Sequence, residues 1–558
     1  MRRPLALVIL LALSLACSRH ERSIPARAEV PADDITPQDG GTVVRSLESE
    51  VTTLNPLLWS SKYDRYLDNY LFTPLVNLDA DLRPVAGIAE KWDISPDGRE
   101  YTFHLNPKAT FSDGSAVTAA DVLFTLRKIV DPQTEAAQIA GEFDGLDSAK
   151  TRIIDPHTIA IAFKDALSSQ LDHFNDLLVV PEHVYGSGDF KHGFDRRAVG
   201  SGPYRLVSFD PATQTVLLRR EDYWGPKPYL QRVIFKTLVD ANTAWNALQH
   251  GDIDETTINS DIWATESHRP ELMKRIDFRR FYTLNYNFIA WNEHDPLFAD
   301  KRVRRALGMC VDLGSIIANV FHGTARAMNG PFTPDQYAYN PAVPVLPFDP
   351  TRARQMLNDA GWFDTNHDGV LDRNGQPFRF EMDIFAGSPT GVLFAQLLQE
   401  ELKKIGVQMT IAQLDPALML KRVLGGDFES AYMSWQLDPE PDLFQLFHSS
   451  QVPPAGQNFI YYSNPEADRL IDASRKEIDL TKRTKIYQQL HQVLADDQPY
   501  TWTVQVSEKW ALDRRLRNVR ASRGFGLFTW FPGEFDWWIP RDQRTHDVPL
   551  AQRAAAAP

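Results

Sequence analysis

The stretch Ala89–Val130, AEKWDISPDGREYTFHLNPKATFSDGSAVTAADVLFTLRKIV, decides how this chain is read. Tyr101, Phe103 and Leu105 alternate with Thr102, His104 and Asn106, the period of two expected of a half-buried strand. Asp97-Gly98 separates that run from Trp92–Ile94, so the two runs read as a hairpin. Asp113-Gly114 marks the next turn. Thr118 precedes Ala119-Ala120-Asp121, a capping box with Asp in place of Glu. Val122, Leu123, Leu126, Ile129 and Val130 then follow at helical spacing. Hairpin, turn and helix in this order predict an α/β segment and by themselves name no function.

The residues carry more than the geometry. The string A-E-x-W…S-x-D-G…Y-T-F-x-L…F-x-D-G-x-x-x-T-A-x-D-V resembles the signature of the extracellular solute-binding proteins of family 5, the dipeptide- and oligopeptide-binding receptors of ABC importers. The likeness continues through Leu54-Asn55-Pro56, Gly200-Ser201-Gly202-Pro203-Tyr204, Asp300-Lys301-Arg302-Val303-Arg304-Arg305-Ala306-Leu307 and Asn464-Pro465-Glu466-Ala467-Asp468. It covers about residues 40–540. It implies a periplasmic-binding-protein-like α/β fold, with two α/β lobes joined by a hinge plus an extra inserted domain. Its domain order suggests lobe I from 40–79, 199–288 and 503–545, the insertion from 80–198, and lobe II from 289–502. Ligand would sit in the cleft and be buried by hinge closure. The closed form would dock on a membrane permease whose ATPase subunits drive import.

Outside the signature, the first 16 residues read as a processing segment, with basic Arg2-Arg3 followed by an apolar run. Leu13-Ser14-Leu15-Ala16-Cys17 resembles a lipobox, departing from it at Ser14, and implies acylation of Cys17 in the periplasm or at the cell surface. Residues 17–39, with Pro25, Pro31 and Pro37, read as a flexible tether, and 546–558 as a disordered tail. No later apolar run approaches the roughly 20 residues of a membrane helix. The second of the two cysteines, Cys310, reads as a small buried apolar residue.

Composition excludes some roles. A net charge of −14 with no basic run argues against nucleic acid and is read as solubility. No metalloprotease, P-loop, dinucleotide or nucleophile-elbow motif is present, and no cofactor is expected. Asp364, Asn366, Asp368, Gly369 and Asp372 fit part of a calcium loop, but Gly375 stands where the bidentate Glu belongs, so the loop reads as a turn. The arginines of 302–305 read as a solvated, hinge-flanking helix.

The sharp binding candidate is Ala431–Phe447, AYMSWQLDPEPDLFQLF. In peptide-binding members a W-x-x-D segment followed by P-D-x-F places an Asp against the ligand's α-ammonium. The resemblance carries this role to Asp438, three positions after Trp435. A carboxylate suits a buried ammonium because a charge-assisted hydrogen bond offsets desolvation of both ions. Ser434 replaces the usual Gly and the spacer is one residue short, which leaves Glu440 and Asp442 as alternative partners. Trp435 and Trp59 are candidate pocket walls, Trp59 also reading as core. A monomeric peptide receptor is expected, anchored to a membrane only by its lipid. A receptor for an oligosaccharide, opine or metal chelate, and a surface hydrolase or calcium-dependent adhesion module, are the alternatives.

Overall fold

The computed structural model describes residues 36–136, 138–437, 440–454, 456–522, 530 and 532–547, and its compact body begins at Gln38. The leader, Cys17, Asp438 and the tail from 548 lie outside the described residues. Ala89–Ile94 and Glu100–Leu105 pair antiparallel, with Gly98 at φ +69° in the turn. Tyr101, Phe103 and Leu105 are buried, as their period of two requires. Asp121 accepts the Thr118 N–H at 2.9 Å, so the shorter carboxylate still closes the box that starts helix Ala119–Val130.

Three sheets organise the body. The first has the order Ile276–Tyr282, Val504–Asp513, Glu255–Thr257, Thr42–Leu47, Arg232–Thr237, Gln214–Arg219, Tyr204–Asp210, and Ala325–Ala327 pairs with one end of Val504–Asp513. The second runs Gln408–Leu414, Arg379–Phe385, Ser430–Gln436, Asn285–Trp291, Tyr500–Trp502. The third, Ala89–Ile94, Glu100–Leu105, Thr158–Ala162, Arg152–Asp155, lies within the inserted segment. One continuous core joins this insertion to the first sheet, through Phe103 and Ile159 on one side and Val43, Leu47 and Phe235 on the other. The second sheet is covered on both faces. Val303, Leu357, Phe394 and Leu398 pack on one, and Leu470, Leu490 and Leu494 belong to the core on the other.

One sequence boundary moves. Asn285–Trp291 lies wholly in the second sheet, so a border at 288/289 falls inside a strand. The chain changes sheets at Thr283-Leu284, a tight connection with no Gly or Pro to announce it. The segment 500–513 divides at Thr503, with Tyr500–Trp502 in the second sheet and Val504–Asp513 in the first. The arginine helix also differs from the solvated reading. Arg304 is buried, pairs with Glu293 at 3.0 Å and donates to the carbonyls of Phe298, Asp497 and Gln498. Only its neighbours Arg302 and Arg305 keep partly solvated positions. Cys310 is buried, its thiol pushed up to about 12 by that burial.

The chain leaves the insertion through Gly200-Ser201-Gly202, pressed against the end of helix Lys62–Leu71. A Cβ on Gly200 would lie 2.1 Å from the Leu71 carbonyl oxygen. Backbone cannot yield there as a flexible side chain would. Gly200→Ala is therefore expected to destabilise the protein by about 1–3 kcal/mol, read as a lower urea midpoint.

Candidate ligand-binding cleft

The two lobes meet first at their crossover. Thr503 donates its N–H and hydroxyl to the Asn287 carbonyl, and Met328 N–H donates to Thr503. Gln505 Nε2 donates to Thr283 O at 2.6 Å, while Gln436 Nε2 and Leu437 N both donate to Leu284 O. They meet again far from this hinge. Ser168 N–H of the insertion donates to Arg475 O of lobe II at 3.1 Å, and the Gly98 turn lies against Ile478. Each lobe carries candidate wall residues near the crossover.

The lobe I wall is built at the carboxyl end of Thr42–Leu47, which runs parallel to both its neighbours. Open α/β sheets form their ligand crevices outside such ends. Glu508 lies opposite Phe281, near the Thr283 crossover, and Trp510 lies opposite Thr257, so the wall sits at the hinge end of the sheet. Beneath it Arg45 is buried in an otherwise uncharged strand. Its guanidinium pairs with both oxygens of Glu255 and, at 2.7 Å, with Glu534. Tyr66 and Tyr70 hydroxyls and Trp530 Nε1 complete the network. Burial opposes the charge of Arg45, but Glu255, the two tyrosines and Glu534 hold it protonated, and burial pushes Glu255 up.

The lobe II wall carries Trp435 at the hinge end of Ser430–Gln436. It is half-buried, with its ring 6.0 Å from and nearly parallel to Phe288, and its Nε1 donates to Tyr500 Oη at 3.4 Å. Asp438 follows, outside the described residues. The alternatives to it are engaged inside lobe II. Glu440 accepts from Tyr337 at 2.5 Å and pairs with Arg483 at 3.1 Å. Asp442 pairs with Arg475 at 2.9 Å and caps Phe444 N. Each therefore already has a cation partner within lobe II. Trp59 is half-buried against the first core. In the Asp364–Asp372 loop the acidic groups accept from the loop itself: Asp364 from Gly369, Asp368 from Val370, and Asp372 from Thr365. Among the described residues no cluster of His, Cys, Asp or Glu is arranged to hold a metal ion.

Two crossovers, two walls and a far-side contact match a known architecture. The family model for bacterial extracellular solute-binding proteins, family 5 (middle), matches residues 83–454. The chain belongs to this family. Among its relatives is the oligopeptide-binding protein AppA of Bacillus subtilis, 29% identical over 550 residues, covering 96% of this chain and 98% of that one. The dipeptide-binding protein of Escherichia coli is 25% identical over 82% of this chain and 88% of its own length. The solved structure of the Bacillus subtilis AppA in complex with a nonapeptide superposes with a TM-score of 0.78 at 27% identity, over 91% of this chain and 100% of that chain. The Campylobacter jejuni NikZ structure in complex with Ni(L-His) shares the fold at TM-score 0.78 and 24% identity, over 89% and 99%.

Motif reading missed the wall residues Arg45, Glu255, Tyr63, Tyr66 and Trp510 of this family 5 protein. One signal was available: an arginine in the middle of the strand T-V-V-R-S-L has to be buried with a partner.

The wall and the far-side contact each generate a test. Arg45→Met leaves Glu255 and Glu534 buried without their cation. It should cost about 3–5 kcal/mol at neutral pH. Unpaired buried carboxylates have raised pKa values, so part of that loss should return as pH falls. Urea midpoints at pH 7 and pH 5 measure both. At the far side, Asp172 faces Glu440 and Arg483 of lobe II and Tyr101 of its own domain. Burial, then the Glu440 charge, raises its carboxyl to about 7. The part of that rise set by Glu440 exists only while the lobes meet, so closure takes up a proton. It is most favourable at acid pH and loses that advantage as pH rises to about 7. The neighbouring His173 is held neutral by burial and acts oppositely below its ordinary pKa. Asp172→Asn should thus be more closed than the parent at pH 8, by up to about tenfold in the closure constant per pKa unit removed. Small-angle scattering at pH 8 reads this as a smaller radius of gyration; equal radii would refute it.

Proposed function

We propose that this chain is the substrate-binding receptor of an ABC importer, capturing di- to oligopeptides between its lobes and delivering them to a membrane permease with its ATPase subunits. The observation that carries the reading is the end-to-end match, 96% of this chain and 98% of the relative, to an oligopeptide-binding protein. A hinge, two facing walls and a far-side contact suit a ligand that is enclosed rather than surface-bound. Asp438 is the residue proposed to pair with the peptide's α-ammonium. It follows Leu437, whose N–H donates to the crossover carbonyl of Leu284. Trp435 supplies a flat, partly exposed face that contacts ligand with little entropy cost. The protein acts as a monomeric receptor and not as an enzyme. Acylated Cys17 is proposed to hold it at a membrane, in the periplasm or at the cell surface; no helix among the described residues is long and apolar enough to span one.

A second reading, the same receptor for a non-peptide solute, is favoured by neighbours of the same fold in complex with Ni(L-His) and with agropinic acid, at TM-scores of 0.78 and 0.76. Native mass spectrometry of the purified protein, followed by denaturation and identification of what is released, separates the two. Peptides of mixed mass support the peptide receptor; one recurring non-peptide mass supports the alternative. Asp438→Ala should weaken binding of a free-amine tripeptide at least tenfold and leave its N-acetylated form unchanged, measured by calorimetry.

A further inference from the structure

A second, half-open cavity of about 850 Å³ lies where the insertion joins lobe I, and no role assigned above uses it. Its size is that of small-molecule sites. Asn69, Thr73, Tyr223 and Trp224 line it, and none of its described lining residues belongs to lobe II. We propose that this cavity binds a purine base or nucleoside, a planar uncharged ring that presents a hydrogen-bond donor beside an acceptor.

The walls follow from how the chain enters and leaves the insertion. It enters through Phe72-Thr73-Pro74 and returns through Gly200-Ser201-Gly202-Pro203, and the two passages are packed backbone on backbone. Gly202 N–H donates to Leu71 O at 2.8 Å, and a Cβ on Gly202 would lie 2.5 Å from the Leu71 carbonyl carbon. Tyr223 and Trp224 lie half-buried against this joint. The Tyr223 and Thr73 hydroxyls share a hydrogen bond of 3.2 Å, and Trp224 Nε1 donates to Ser201 O at 3.2 Å. Both polar edges are therefore engaged, and what the two rings offer the cavity is their faces. Phe72, Pro203 and Pro226 add further ring surface. Flat faces of this kind stack on a nucleobase, since every base has a π-face.

Asn69 supplies the polar contact. It sits in the last turn of helix Lys62–Leu71 and lines the cavity. It is 5% exposed, and its amide nitrogen is buried without a hydrogen-bond partner. A buried donor left in this state calls for a partner from a ligand or an ordered water. A carboxamide is uncharged and carries donor and acceptor side by side. A trans peptide group holds its N–H and C=O on opposite sides, so it cannot pair with both at once. The N6/N7 edge of adenine can, and asparagine pairs with it in this bidentate manner. Stacking faces and an unpartnered carboxamide in one cavity thus suit a purine and not the peptide assigned to the cleft. With no lobe II residue among those described, binding here does not require hinge closure.

Calorimetry of the purified protein with adenosine is the test. Saturable binding is expected, about tenfold weaker for purine riboside, which lacks the 6-amino donor, and about tenfold weaker for adenosine in Asn69→Leu. Leucine keeps the size of the side chain and removes a donor that has no partner, so this variant should fold; a circular dichroism spectrum and urea midpoint like the parent's check it. Trp224→Leu removes a stacking face and should weaken both nucleosides alike. A saturating free-amine tripeptide should leave adenosine binding unchanged. Absence of saturable adenosine binding up to millimolar concentration would overturn the proposal, leaving a cavity that holds water only and the peptide-receptor reading intact. Equal affinity for purine riboside, or an unchanged affinity in Asn69→Leu, would also overturn it. Displacement of adenosine by the tripeptide would put the nucleoside in the cleft and reject this cavity as its site.

Discussion

The buried pairing of Arg45 with Glu255 and Glu534 is the constraint on which lobe I depends. It joins a central strand, the neighbouring strand, the helix that carries Tyr66 and Tyr70, and the C-terminal segment that returns with Glu534 and Trp530. Their contacts with Arg45 span 25 to 489 residues of sequence. Removing such ions from water costs several kcal/mol each, which only close and multiple hydrogen bonding offsets. The network therefore tolerates little displacement. It makes the floor of the lobe I wall a rigid surface, and it obliges the C-terminal segment to stay with the lobe in which the chain began.

Lobe II is stiffened in the same manner by different ions. Arg304 ties its helix to the carbonyls that end helix Leu480–Asp497, and Glu440 with Arg483 and Asp442 with Arg475 fix the loop after Trp435 to the helices behind it. Here the sequence was legible in part. The hairpin and the capping box depend on residues a few positions apart, so periodicity and turn chemistry revealed them. The W-x-x-D segment could be placed by its resemblance. That Glu440 and Asp442 already hold cations could not be read, because Arg475 and Arg483 lie 33 and 43 residues on and share no local pattern with them.

The same limit explains the boundaries. Thr503 sits inside the alternating run Tyr500–Val506, and its hydrogen bonds to Asn287 and Met328 reveal that the chain changes lobes there. Thr283-Leu284 likewise lacks Gly or Pro. A connection that must stay hydrogen-bonded while joining two bodies has no need of special backbone angles, and so leaves no turn signature. Arg45 was the one exception, a non-local feature with a local trace, since a charge within an apolar strand has to find a distant partner.

The energetics then divide between lobes and cleft. Within each lobe, charges are paired and buried; at the far-side contact, a main-chain hydrogen bond from Ser168 accompanies two carboxylates, Asp172 and Glu440, that share Arg483. Such a contact holds the lobes together weakly, because part of what it gains is lost to like-charge repulsion and desolvation. A ligand that touches both walls adds free energy to the closed form alone, and an equilibrium near balance responds most to that difference. Rigid walls and a weak far-side contact are thus complementary: the first set what fits, and the second lets what fits decide whether the cleft stays shut.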